Sequence, residues 1–152
     1  MAFMRLFTPV YQVFVWVALL LLALSFVQPH RPADIRFFDT YFVFDLATLL
    51  RASAFGLFLL WLLYLANKPF LYSPKLTRIH VLATLVSLVA VIGTTLQTNH
   101  LKKQLNPMAQ ELWQTYYRWG QVLDIALVIL FAAQVVFLFH LALGMKRTFL
   151  KQ

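Results

Sequence analysis

Of the 152 residues, 62% are hydrophobic and only 12% charged, the formal net charge is +8, and there is no cysteine. Soluble domains carry about 25% charged residues, so the composition excludes a water-soluble globular protein as the expectation. The missing thiols exclude disulfides, cysteine-ligated zinc and iron–sulfur clusters.

In chain order, four apolar segments predict four transmembrane helices at about 10–28, 46–66, 76–97 and 121–144. Each has the roughly 17 to 25 residues needed to cross a hydrocarbon core of about 30 Å. No segment shows the inside–outside alternation of a membrane barrel, and lipid requires every backbone polar group to be satisfied within the span. The expected class is therefore all-α: an integral membrane four-helix bundle forming one domain over 1–152. The first segment is read as a helix and not a cleaved signal peptide. Its apolar run exceeds the roughly 7 to 15 residues of a signal core, and Gln28-Pro29-His30-Arg31-Pro32 offers no small-residue cleavage site.

The connections differ. Loop one is punctuated by Pro29 and Pro32 and runs through 34–43 into helix two; Pro69 and Pro74 end helix two and keep loop two extended. Helix three carries His80, Thr84, Ser87, Val91, Thr95 and Thr98 at three- and four-residue spacing. Such a small, hydroxylated stripe predicts a close-packed seam with hydrogen bonds across it. Gly56 with Ala52, and Gly144, are further candidates for close contact. Loop three, rich in Trp113, Tyr116, Tyr117 and Trp119, predicts a helix lying in the interface over about 108–119.

Charge sets the expected orientation. Arg5, Lys68, Lys75, Arg78, Lys146, Arg147 and Lys151 fall on one side of a four-span chain with no acidic residue; all the acids lie on the other. The positive-inside rule then puts both termini on the cytoplasmic side of a cell inner membrane, or the corresponding side of an organelle's inner membrane. Because the basic residues are scattered at segment ends and form no patch, the expected partners are membrane lipids and other integral membrane subunits, not nucleic acid.

Ionisable residues inside spans are costly, by about 2.5 to 3.5 kcal/mol at mid-membrane even on lenient scales. Arg51 lies about 8 Å below the start of helix two and Asp124 about 3 Å below the start of helix four, at 1.5 Å per residue. An ion pair from Arg51 to Asp124 or to Asp45 is the expected compensation. His80 and His140 fall near one end of the bundle, His30 and His100 near the other. Histidines at matched depth are what a bis-histidine heme needs, although interfacial or hydrogen-bonded roles also account for them. Asp124 and His140 lie about 160° apart round helix four, so they do not form one proton path.

The string Asp34-Ile35-Arg36-Phe37-Phe38-Asp39-Thr40-Tyr41-Phe42-Val43 resembles a segment of heme-copper (cytochrome c) oxidase subunit I. That family carries D-I-x-x-H-D-T-Y-[YF]-V-V-A-H-F-H at the outer start of its tenth helix. Asp34, Ile35, Asp39, Thr40, Tyr41, Phe42 and Val43 agree with it. Arg78-Ile79-His80 is similar to the K-I-H opening the family's next helix, and the chain matches its last four helices by count. The resemblance implies a respiratory setting, but the family's metal ligands are missing. The magnesium-binding histidine is replaced by Phe38, and the two heme-ligating histidines by Leu46 and Thr48, neither of which offers the axial nitrogen iron requires. Asp34 and Asp39 alone remain as metal candidates, with Arg36 competing for their carboxylates. The resemblance thus implies a degenerate relative that is not an enzyme.

The expected function is that of a small non-catalytic accessory or structural subunit of a larger membrane complex, with no cofactor. The alternatives are a heme- or quinone-binding electron carrier using the histidine pairs, and a small transporter using Gln134 and the hydroxyls of helix three.

Overall fold

In a computed structural model, residues 9–27, 32–37, 40–71, 73–104 and 110–149 are described. Four helices dominate: α1 (Val13–Val27), α2 (Leu46–Ala66), α3 (Pro74–Gln104) and α4 (Gln110–Phe149). All four are long and apolar enough to cross a membrane, α1 when taken together with the 3₁₀ turn Val10–Gln12 that leads into it.

Two elements differ from expectation. Loop one contains a β-hairpin, β1 (Pro32–Phe37) and β2 (Thr40–Asp45), antiparallel with Asp34 opposite Val43, Ile35 opposite Phe42 and Phe37 opposite Thr40. The all-α expectation is corrected to that extent. The run Thr40-Tyr41-Phe42-Val43-Phe44 is β-branched and aromatic throughout, which suits a pleated strand better than a helix. Second, no separate interfacial helix exists among the described residues, because Gln110–Trp119 forms the first turns of a continuous α4. Only Gly120 weakens the joint, and one glycine costs about 1 kcal/mol in a helix interior, too little to break a forty-residue element.

Helix three also outruns its apolar core. Pro74 opens it with φ preset for the first turn, and the Lys75 amide donates to Ser73 Oγ at 3.3 Å. At the other end it continues through polar residues, with Lys102 and Lys103 in the last turn complementing the helix dipole. Helix two spans the bounds read from its sequence.

Packing organises the helices as two antiparallel pairs, α1 on α2 and α3 on α4. The levels follow from side-chain contacts: Arg51 meets Ser25 at the hairpin end, while Tyr64 stacks on Tyr11 at the far end. Likewise Thr77 meets His140, and His80 meets Gln134. The pairs join in a core of Phe14, Leu21, Leu50, Leu57, Tyr64, Leu88 and Phe137. A second cluster at the hairpin end seats Ile35 of β1 against Val91, Leu123 and Ala126. The Asn99 amide fastens the same strand by donating to the Pro32 carbonyl at 3.0 Å.

The α3 stripe is buried at all six positions. Of its hydroxyls, Thr84 bridges helices as expected, accepting from the Gln134 amide of α4 at 3.3 Å, whereas others do not. Ser87, Thr95 and Thr98 donate to the carbonyls of Ala83, Val91 and Thr94 at 2.6, 2.7 and 2.9 Å, satisfying themselves on their own helix. At these positions the stripe's contribution is small size, which lets α4 approach. Gly56, by contrast, makes no close contact, since a Cβ there would meet nothing within 4 Å. Gly56→Ala is expected to raise the thermal unfolding midpoint in detergent, by the equivalent of about 1 kcal/mol of helix propensity.

Candidate functional site

Polar chemistry concentrates at the far end of the bundle, where α2, α3 and α4 converge on His80. Its Nδ1 lies 2.7 Å from Tyr64 Oη; its Nε2 lies 3.3 Å from both Gln134 Oε1 and Thr84 Oγ1. The Gln134 amide nitrogen donates to the Leu130 carbonyl at 3.2 Å and to Thr84 Oγ1 at 3.3 Å. A carbonyl can only accept, so the amide nitrogen must face Leu130 and the amide oxygen must face His80. His80 Nε2 therefore carries the ring proton, and Nδ1 accepts from the Tyr64 hydroxyl. The order is Tyr64 to His80 to Gln134 to Thr84, one directed chain across three helices.

Aromatic rings enclose it. His80 stacks on Phe137 at 4.9 Å between centroids, Phe14 meets it edge-on at 6.1 Å, and Tyr64 lies 4.7 Å from Phe137 and 5.3 Å from a parallel Tyr11. Tyr64 and Phe14 are wholly buried, and His80 is 1% exposed. Beside this chain, Thr77 Oγ1 and His140 Nε2 are 3.4 Å apart; His140 Nδ1 is buried with no partner. The arrangement holds helices together by hydrogen bonds among neutral side chains. No carboxylate takes part in its hydrogen bonds.

Two of the predicted histidines, His80 and His140, come together at one level on α3 and α4. His100 is exposed, bonded to Gln104 at 3.2 Å, and lines a cavity of about 540 Å³ between the hairpin and α3. His30 lies outside the described residues, as does Asp39. Asp34 occupies β1, with only its backbone described. Of the remaining string residues, Ile35 is buried while Phe42 and Val43 are exposed; Thr40 pairs with Phe37 and Tyr41 with Arg36. No group of three or more histidine, cysteine, aspartate or glutamate residues that could hold a metal ion forms among the described residues.

The expected Arg51 to Asp124 ion pair does not form. Arg51 turns to α1, where Nε donates to Ser25 Oγ at 3.4 Å and the guanidinium lies 5.4 Å from the Phe26 ring centroid. Asp124 sits on the other helix pair, and its Oδ1 is buried with no partner. Similar depth therefore did not mean contact, because α2 packs on α1 and α4 on α3. Asp45 stands at the N-cap of α2, six residues and about 120° round the helix from Arg51, so the two occupy different faces. An orphaned buried acceptor costs about 1 to 3 kcal/mol, so Asp124→Leu is expected to stabilise by about 1 kcal/mol in detergent unfolding.

Tyr64 escaped sequence reasoning, though a signal for it existed. It lies near the end of helix two, and His80 near the start of helix three, with a short loop between them. A groove of about 390 Å³ reaches the polar chain from outside, bordered by Ala52, Ser53 and Gly56 and floored by Thr84 and Gln134. Ala52 and Gly56, expected to make a close contact, instead open this groove. No family model, curated protein or solved structure matches the chain.

Proposed function

We propose that this chain is a multi-pass integral membrane protein with both termini on the cytoplasmic side, acting as a small non-catalytic structural or accessory subunit of a larger membrane complex. The observation that carries this reading is its exterior. Trp16, Phe26, Phe55, Val89, Phe131 and Phe139 are each 64 to 73% exposed, and they lie on all four helices. Apolar area of that extent is stable only when lipid or another apolar surface covers it. The buried polar chain supports the same reading, since its hydrogen-bonding capacity is used to join helices. The string at 34–43 makes a respiratory complex the first candidate.

Mild-detergent purification followed by identification of companion proteins tests the role. Stoichiometric integral membrane partners are the expected result, and a chain that runs alone and monodisperse contradicts it. Labelling of single cysteines introduced near each terminus tests the orientation.

A bis-histidine electron carrier is the second reading, favoured by His80 and His140 being buried at one level. Iron at His80 would have to displace Tyr64 from Nδ1, or Gln134 and Thr84 from Nε2. An absorbance spectrum of the dithionite-reduced protein separates the readings, because a sharp heme band belongs to the carrier alone.

A further inference from the structure

A cleft of about 460 Å³ runs down the outer side of the α1–α2 pair, lined by Ala18, Leu19, Leu22, Ala54, Phe55 and Phe58, with Arg51 at its head. Its lining is apolar apart from that guanidinium. Arg51 is exposed, and among the described residues no carboxylate pairs with it; its contacts are the Ser25 hydroxyl and the Phe26 ring. A hydroxyl at 3.4 Å and a largely exposed ring leave most of the five guanidinium donors unused.

The cleft has a direction. Arg51 lies at the hairpin end of α2, and Ala54, Phe55 and Phe58 follow over the next two turns, about 10 Å further along the axis. On α1 the order mirrors this, with Ser25 level with Arg51 and Leu22, Leu19 and Ala18 progressively deeper. A cation about 8 Å into α2 from its hairpin end, able to reach outward on its long side chain and heading a hydrocarbon slot that points to the midplane, matches an anionic lipid, head out and chain in.

Resting on the membrane reading above, we propose that this cleft is a binding site for one anionic phospholipid, its phosphate on Arg51 and an acyl chain between α1 and α2. Guanidinium and phosphate match geometrically, with two parallel N–H donors for two oxygens. Lipid is also the solvent of this surface, so occupancy needs only modest selectivity. The small side chains of Ala18 and Ala54 leave the space the chain fills.

The test uses the full-length protein in mild detergent, titrated with phosphatidylglycerol or phosphatidylcholine, with bound lipid counted by native mass spectrometry. Wild type is expected to retain phosphatidylglycerol preferentially. Arg51→Gln loses about fivefold of that preference, the scale of one basic residue at an anionic surface, and Arg51→Lys, which keeps the charge without the two parallel donors, falls between Arg51→Gln and wild type. Ala54→Phe, which fills the cleft and keeps the charge, weakens retention of both lipids; Lys68→Gln, at the opposite end, changes neither. Equal retention of the two lipids by wild type, or an undiminished preference in Arg51→Gln, overturns the site. So does a copurifying protein that is lost with Arg51→Gln while lipid retention is not. Carbonate extraction of membranes separates the two levels: a chain that stays with the pellet yet shows no lipid preference overturns this site alone, whereas a chain released to the supernatant overturns the membrane reading with it.

Discussion

His80→Leu is expected to lower the unfolding free energy by about 3 kcal/mol, measured by SDS titration in mixed micelles. The side chain is replaced by one of comparable bulk, so the loss comes from its partners. Tyr64 Oη and Gln134 Oε1, which face His80 at 2.7 and 3.3 Å, both lose the group that satisfies them. Each orphan costs about 1 to 3 kcal/mol. Interhelical hydrogen bonds in membranes average only about 0.6 kcal/mol in double-mutant cycles, because the unfolded chain also finds partners in lipid. The larger figure applies here because one substitution strands two groups, one of them, Tyr64, inside the aromatic cage. Tyr64→Phe introduced into His80→Leu removes one of the orphans, so the double variant should exceed the sum of the single effects by about 1 kcal/mol in stability. Simple additivity would show that the chain of hydrogen bonds does not act as a unit.

Phe14→Ala is expected to cost about 3 kcal/mol, at the low end of the roughly 3 to 5 kcal/mol seen for such truncations in cores. In a membrane the transfer contribution largely vanishes, since the unfolded side chain stays in hydrocarbon, and lost packing remains. Phe14 has no exposed surface and touches both Tyr64 and His80, so its removal also loosens the cage around the polar chain. Trp16, two residues on and 70% exposed, supplies the control: Trp16→Ala should change stability by less than about 0.5 kcal/mol. Comparable losses at both positions would mean that α1 faces the bundle differently.

The spans were legible because lipid imposes a length and a composition on each. The α3 seam was legible because small residues recur there at helical spacing. What failed had identifiable causes. Helices three and four extend into polar residues, 98–104 and 110–120, where apolar periodicity stops but helix propensity does not. The hairpin was hidden because its evidence is a short β-branched and aromatic run beside long apolar ones. Among the site residues, His80 and His140 stood out as titratable groups within spans. Tyr64 did not, since it becomes a partner of His80 only once α2 and α3 are placed side by side. Arg51 and Asp124 show the converse: depth can be read from one dimension, but which helix lies next to which cannot.

The hairpin gives the fold a mechanical property. Ile35 is lodged between α3 and α4 at one end of the molecule, while Tyr64 grips His80 at the other. The pairs are thus fastened at both ends as well as through the shared core of Leu57, Leu88 and Phe137 between them. Sliding one pair along the other would break the Ile35 seat and the Tyr64–His80 bond together. The slot beside Gly56, which leads to Gln134, lies between the two fastened ends.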